Sequence, residues 1–323
     1  MESQTHRWNT AVLGCRWGSR LIKCAMQRDD VRIVAVADTD RERATHAADS
    51  AGASVYSQYQ DAIADPDLDV AFIALPSELH RDAAMACIDR GLHVYLEKPC
   101  GKRRAAEEVL DVAQAARRKG VHVMAGFSQR FAAYVMDTRK TVDSGCLGRI
   151  VTVDILRQAA FGRESTDAPG WGVHDYDLCT LLSGADPDSV TAFSPCVTGI
   201  PATQTVETMI RHKNGVLSRC RTSMDATHLD VTIRVQGTTG ELVASRTSQC
   251  IRIWEGRNER EIRHYETSDF LESAVHCFLN FLGGGTEMPP TIESIVPARR
   301  IMQAAYESVE SGETVHLSDG YDR

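Results

Sequence analysis

The chain has 323 residues, 43% of them apolar and 25% charged, which excludes the disordered, collagen-like and low-complexity classes and, at roughly 150 residues per domain, predicts two domains. Its 36 Lys and Arg against 44 Asp and Glu leave a net charge of −8, which disfavours nucleic acid and points to a small-molecule partner. The ten cysteines are scattered singly with no C-x-x-C pair, so they read as reduced thiols, and neither a disulfide framework nor a metal site is expected.

From the N-terminus, residues 10–13 read as a strand and 14–18 as a glycine turn, before a helix capped by Ser19 with Leu21, Ile22, Ala25 and Met26 on one face. Further strands are predicted over 32–37, 70–75, 93–96 and 121–125, with helices over 80–90 and 105–119 closed by Gly91 and Gly120. Parallel strands need crossover helices, so this alternation predicts a doubly wound Rossmann sheet covered on both faces. After Gly126 the pattern changes. One helix over 131–144 precedes strands over 205–212, 216–224, 229–236 and 251–254. Val231, Ile233 and Val235 alternate with Thr232, Arg234 and Gln236, the signature of a sheet with one buried and one wet face. Asn214-Gly215 predicts a tight hairpin, and two helices over 270–282 and 291–311 close the chain. The expected class is therefore α/β, with a Rossmann domain over 1–126 and an α+β domain with a mainly antiparallel open sheet over 127–323.

The uncharged run 189–206 is broken by Pro195 and Pro201 and rich in Ser and Thr, so no membrane span is expected. The first ten residues lack a leader-like apolar stretch, which makes the cytoplasm the expected location.

A turn that cradles a pyrophosphate needs glycines for a tight bend and close approach. Here it reads Gly14-Cys15-Arg16-Trp17-Gly18, a departure from G-x-G-x-x-G, with Arg16 at the approach position; a simple packing turn is the alternative. Context favours the dinucleotide: a strand before, a helix after, and Asp38 at the end of the second strand, 24 residues past Gly14. A carboxylate there accepts ribose hydroxyls and repels a 2′-phosphate, so NAD(H) is preferred; Arg41 and Arg43 nearby keep NADP(H) as the alternative. The bland reading of Asp38 is a cap.

Residues 69–80, Asp-Val-Ala-Phe-Ile-Ala-Leu-Pro-Ser-Glu-Leu-His, and 91–99, Gly-Leu-His-Val-Tyr-Leu-Glu-Lys-Pro, stand beside Ala-Gly-Phe-Ser-Gln-Arg-Phe at 125–131 and Gly-Val-His-Asp-Tyr-Asp-Leu at 172–178. These segments closely resemble the Gfo/Idh/MocA family, named for glucose-fructose oxidoreductase, inositol dehydrogenase and the rhizopine-catabolism protein MocA, and the resemblance runs along nearly the whole chain. It implies an NAD(P)-dependent oxidoreductase acting on sugars, cyclitols or derived ketones or imines, with a homodimer or homotetramer formed through the second domain's open sheet. On that resemblance Gly14, Cys15, Arg16, Trp17 and Gly18 hold the pyrophosphate and Asp38 the adenosine ribose. Leu75, Pro76, Ser77 and His80 lie along the nicotinamide side, and Glu97 and Lys98 contact the nicotinamide ribose and the substrate. Lys98 is also a catalytic position of the family, and the following Pro99 bond is usually cis.

The chemistry agrees with these residue types. An alcohol that loses a hydride must also lose its hydroxyl proton, and a desolvated Lys98 beside the nicotinamide's charge suits that task. His174 is the natural second carrier, with Leu178, Leu181 and Leu182 on its helical face; a buried structural histidine is the alternative. Asp177 is expected to orient that imidazole or support the helix start, and Asp175 and Trp171 to meet substrate, although Trp171 equally suits an interior anchor. Where the family carries an Asp four residues before the catalytic His, this chain has Gly170, in a loop over 162–170 shorter than usual; Asp167 and Asp175 are the substitutes at hand. That departure and Arg16 keep a non-catalytic dinucleotide-binding regulator as the second reading. Redox-assisted glycoside cleavage, a third, has no residue in its specific favour.

Overall fold

The computed structural model describes residues 6–160, 167–196 and 204–317, so the first part of the 162–170 loop and the middle of the 189–206 run lie outside the described residues. The chain divides into two compact units, one ending at Ser128 and completed by Asp269–Val296, the other made of Gln129–Ser268 and the residues from Pro297 on.

In the first unit β1 (Trp8–Leu13), β2 (Val31–Ala37), β3 (Ser54–Tyr56), β4 (Val70–Ile73), β5 (His93–Glu97) and β6 (Val123–Gly126) form a six-stranded sheet in the order β3-β2-β1-β4-β5-β6, every pair parallel. Helices α1 (Cys15–Ala25), α2 (Arg41–Asp49), α3 (Tyr59–Ala62), α4 (His80–Asp89) and α5 (Glu108–Lys119) connect the strands. All four residues of β4 are buried, as expected of a strand covered on both faces. The helix start at Ser19 is corrected: α1 begins at Cys15, because Gly14 at φ +90° bends the chain straight out of β1. Sequence periodicity passed over α2, whose RERATHAAD run has little apolar stripe; the Asp40 side chain caps it by accepting from the Arg43 N–H. In the completing stretch, α9 (Phe270–Leu282) packs on α1, and the His276 ring nitrogen Nε2 lies 3.0 Å from the Cys24 carbonyl. The Ala125 N–H donates to the Pro290 carbonyl at 2.9 Å, covering the outer edge of β6.

The second unit contains α6 (Ala133–Asp143), β7 (Ile150–Ala160), α7 (Ala168–Trp171), α8 (Val173–Ser183), β8 (Pro187–Phe193), β9 (Thr205–His212), β10 (Leu217–Ser223), β11 (Asp225–Gly237), β12 (Gly240–Ser245), β13 (Cys250–Glu255), β14 (Asn258–His264), α10 (Val296–Ser311) and β15 (Val315–His316). Its sheet runs β14-β13-β12-β11-β7-β10-β9-β8-β15. It is antiparallel except where β10 pairs in parallel with β7. The Asn214-Gly215 hairpin joins β9 to β10, with Gly215 at φ +87°. Val231, Ile233 and Val235 are fully buried and Arg234 and Gln236 exposed, the alternation read from sequence. Helix α8 packs against β7 and β10, and α6 against β12 and β13. Ion pairs Arg219–Asp154, Arg221–Glu207 and Arg234–Glu241 dot the opposite, wet side, beside exposed Leu217 and Met209. Among the described residues no helix is long and apolar enough to cross a membrane.

Candidate active site

At the carboxyl edge of the first sheet, a Cβ placed on Gly14 would lie 2.5 Å from the Ala74 carbonyl oxygen and 2.8 Å from the Leu75 nitrogen, so glycine is required for both space and backbone angle. A Cβ on Gly18 would meet Val12 Cγ1 at 2.7 Å, which is how α1 comes down onto β1. Two of the three glycine tasks of a dinucleotide turn are thus met, and Arg16 is exposed on the first turn of α1, which carries no acidic side chain. Asp38 is 9% exposed; its Oδ2 accepts from the Cys15 N–H at 2.8 Å, and its Oδ1 from the Asp40 N–H at 2.9 Å and Arg43 Nη1 at 3.2 Å. Arg43 Nη2 also binds Asp40, at 2.8 Å, so one guanidinium serves two carboxylates. Burial pushes the Cys15 thiol up to about 12, which leaves it inert.

Leu75, Pro76 and Ser77 follow β4 beside this turn. His80 is 1% exposed and its Nε2 lies 2.7 Å from the Leu75 carbonyl, so its ring braces that loop from within the fold. Glu97 closes β5, and the Lys98–Pro99 bond that follows is cis. Burial pushes the Glu97 carboxyl up to about 7, against the opposing pull of Lys98 and of the Trp17 indole. Trp17 Nε1 donates to Glu97 Oε1 at 3.0 Å, and the Lys98 N–H donates to Oε2 at 3.2 Å. Sequence reading missed the Trp17–Glu97 bond, because two residues 80 positions apart carry no local sign of meeting.

In the second unit His174 is the second residue of α8 and 7% exposed, with Leu178 and Leu182 buried along its face. Asp177 binds a guanidinium: Arg130 Nε donates to its Oδ2 at 2.8 Å and Nη2 to its other oxygen. Asp175 is fully buried, its Oδ1 accepting from Arg157 Nε and its Oδ2 from Thr222 Oγ1, both at 2.8 Å. Both carboxylates therefore face protein donors. The sequence signal for such partners was the presence of two acids on one helix start; nothing in it named Arg130 or Arg157. Asp167 caps α7, accepting from the Gly170 N–H and from the Tyr306 hydroxyl. A Cβ on Gly170 would lie 2.7 Å from Asp167 Cγ, so this carboxylate occupies the space a side chain at 170 would take. Gly172, between α7 and α8, keeps helical angles, which leaves positions 170 and 174 one turn apart. Trp171 is half-buried at the end of α7. Among the described residues no group of three or more His, Cys, Asp or Glu is arranged to hold a metal ion.

A parallel sheet with a glycine turn, an anion-ready helix start and an acid at the end of β2 defines a dinucleotide-binding α/β protein. Residues 8–127 match the model of the oxidoreductase family with an NAD-binding Rossmann fold, and 135–243 match the GFO/IDH/MocA C-terminal domain. The chain is 28% identical over 320 residues to D-xylose 1-dehydrogenase (NADP(+)) 2 of Haloferax volcanii, covering 93% of this chain and 96% of that one. It is 32% identical over 220 residues to inositol 2-dehydrogenase 2 of Saccharopolyspora erythraea, covering 65% and 64%. The fold is shared, at TM-score 0.85 and 18% identity over 96% of this chain and 98% of the other, with an Agrobacterium radiobacter oxidoreductase solved with NAD+, L-tartaric acid and magnesium. The chain belongs to the Gfo/Idh/MocA family and is an NAD(P)-dependent oxidoreductase.

Proposed function

We propose that this protein moves a hydride between NAD(H) and a sugar, cyclitol or derived ketone or imine, with Lys98 and His174 handling the proton. The carrying observation is the row of strand ends on the first sheet: a turn at Gly14 with no room for a side chain, a first turn of α1 without an acidic residue of its own, Asp38 just past β2, and Glu97-Lys98 at the end of β5. The nicotinamide, when bound, supplies the hydride acceptor or donor. Arg16 and the remaining N–H groups of the first turn of α1 hold the pyrophosphate, and Asp38 takes the adenosine ribose. NAD is favoured over NADP because two carboxylates, Asp38 and Asp40, stand where a 2′-phosphate would come and already engage Arg43; Arg41 and Arg43 keep NADP as the alternative. Leu75, Pro76 and Ser77 line the nicotinamide side, with His80 bracing them.

Lys98 takes the hydroxyl proton as the hydride leaves, and His174 carries it onward. Asp175 and Asp177 act as positioning residues, fixing α8 through Arg157 and Arg130. Asp167 stands in for the acid missing at position 170, one turn before the imidazole. Trp171 offers a ring face to the substrate. The polyol class is supported by the xylose and inositol dehydrogenases among the relatives. Residues 1–126 serve the cofactor. Residues 127–323 serve substrate and self-association into a dimer or tetramer through the open sheet face, apart from Asp269–Val296, which belongs with the cofactor unit; the cytoplasm is the location we assign.

Titration with NADH and NADPH, followed by nicotinamide fluorescence, is expected to show tighter NADH binding, and a polyol panel is expected to reveal turnover. Lys98→Ala is expected to lower turnover by roughly 10²–10⁴-fold with NADH affinity changed little. Binding of neither dinucleotide rejects the reading, and binding without turnover on any polyol favours the regulator.

A further inference from the structure

We infer that Trp17 is a positioning residue: its indole bridges the crevice from the glycine turn to Glu97 and sets the Glu97-Lys98 end of β5 for the nicotinamide half of the dinucleotide. The inference rests on the dinucleotide reading above. β1, which feeds the turn, and β5 are not neighbours; β4 lies between them, so their ends are about 10 Å apart. A long side chain is needed to cross that gap, and the indole does, with Nε1 3.0 Å from Glu97 Oε1. A tryptophan kept for packing buries its ring. Trp17 is instead 38% exposed, with the Arg20 guanidinium 4.6 Å above its face.

Glu97, by contrast, is only 7% exposed, and a carboxylate withdrawn from water needs hydrogen-bond donors. The Lys98 N–H on Oε2 comes from its own strand end, whereas the indole N–H on Oε1 comes from another element. Without that donor the Glu97 carboxyl turns toward water or takes a proton, and Lys98, whose backbone is bonded to the same carboxyl, moves with it. Trp17 also stands on the first turn of α1, where the pyrophosphate would lie. One bond therefore ties the phosphate end of the cofactor site to its nicotinamide end.

Trp17→Phe keeps an aromatic ring and removes the N–H. Affinities are measured for NADH and for ADP, which fills only the adenosine and diphosphate half. At pH 8 NADH is expected to weaken about tenfold, the scale of one lost hydrogen bond to a charged group, while ADP, assigned above to Arg16 and to backbone N–H groups that Phe leaves in place, stays within about twofold. Equal weakening of both ligands, or of neither, overturns the inference. A second arm needs no folded Trp17 variant: in indole-¹⁵N spectra of the unaltered protein, the signal identified as Trp17 by its response to Glu97→Gln is expected to move further with NADH than with ADP. Equal movement overturns the inference. If the unaltered protein binds neither NADH nor ADP, the dinucleotide reading fails first and takes the inference with it; normal binding with an indifferent Trp17→Phe removes the inference alone.

Discussion

Glu97 shows how one buried side chain couples stability to the site. Its folded value, about 7, lies above the ordinary 4.5, because burial penalises the charged form more than the neighbouring donors favour it. The fold therefore favours the neutral acid below about pH 7 and holds the carboxylate, served by the Trp17 and Lys98 donors, above it. The neutral acid's contribution is fully present below about 4.5 and is lost as pH rises through about 7, a change of order 3 kcal/mol. Glu97→Gln, which mimics the neutral form, should raise the melting temperature at pH 8 by several degrees and converge on the parent near pH 4.5; a constant offset across that range contradicts the linkage. Asp167 permits an equally direct test. Its carboxylate fills the β position of Gly170, so Asp167→Ala opens the space for an acid at 170. Asp167→Ala alone should cut kcat with little effect on KM. Adding Gly170→Asp should restore most of it, and no recovery from a folded double variant argues against the relay assignment.

At the level of elements, most helices and strands follow from apolar period and turn residues, but their ends follow from particular bonds. Asp269 starts α9 by accepting from the Leu271 and Glu272 N–H groups, and α9 in turn buttresses α1. Asp269→Ala should cost about 1 kcal/mol, read as a lower denaturant midpoint with an unchanged slope. Helix α2 escaped the periodicity because its buried residues are three alanines, which contribute too little apolar contrast to stand out. The start of α1 moved from Ser19 to Cys15 because Gly14, at φ +90°, turns the chain directly out of β1, at a place where Ala74, some 60 residues on, leaves no room for a side chain.

For the whole molecule, the open face of the second sheet carries alternating charges, Asp154 and Glu207 against Arg219 and Arg221, around Leu217 and Met209. A self-complementary patch of this kind suits an interface built on a two-fold axis. Sedimentation should find a dimer or tetramer, and Arg219→Glu with Arg221→Glu should yield monomers by placing like charges together. A monomeric parent protein removes that assignment.

The amino-acid sequence by itself determined the strand-helix alternation of the first half and the helix-poor run of strands in the second, the glycine turn, Asp38 at the end of the second strand, the Glu-Lys-Pro element and the family. Each of these is a local pattern or a fixed spacing. Tertiary structure alone decided who meets whom: Trp17 with Glu97, Asp175 with Arg157, Asp177 with Arg130, and the Asp167 carboxylate over Gly170. The reason is physical. Periodicity reports which face of an element is buried, whereas a buried charge must find its partner wherever packing delivers one, and that partner comes from any distance along the chain.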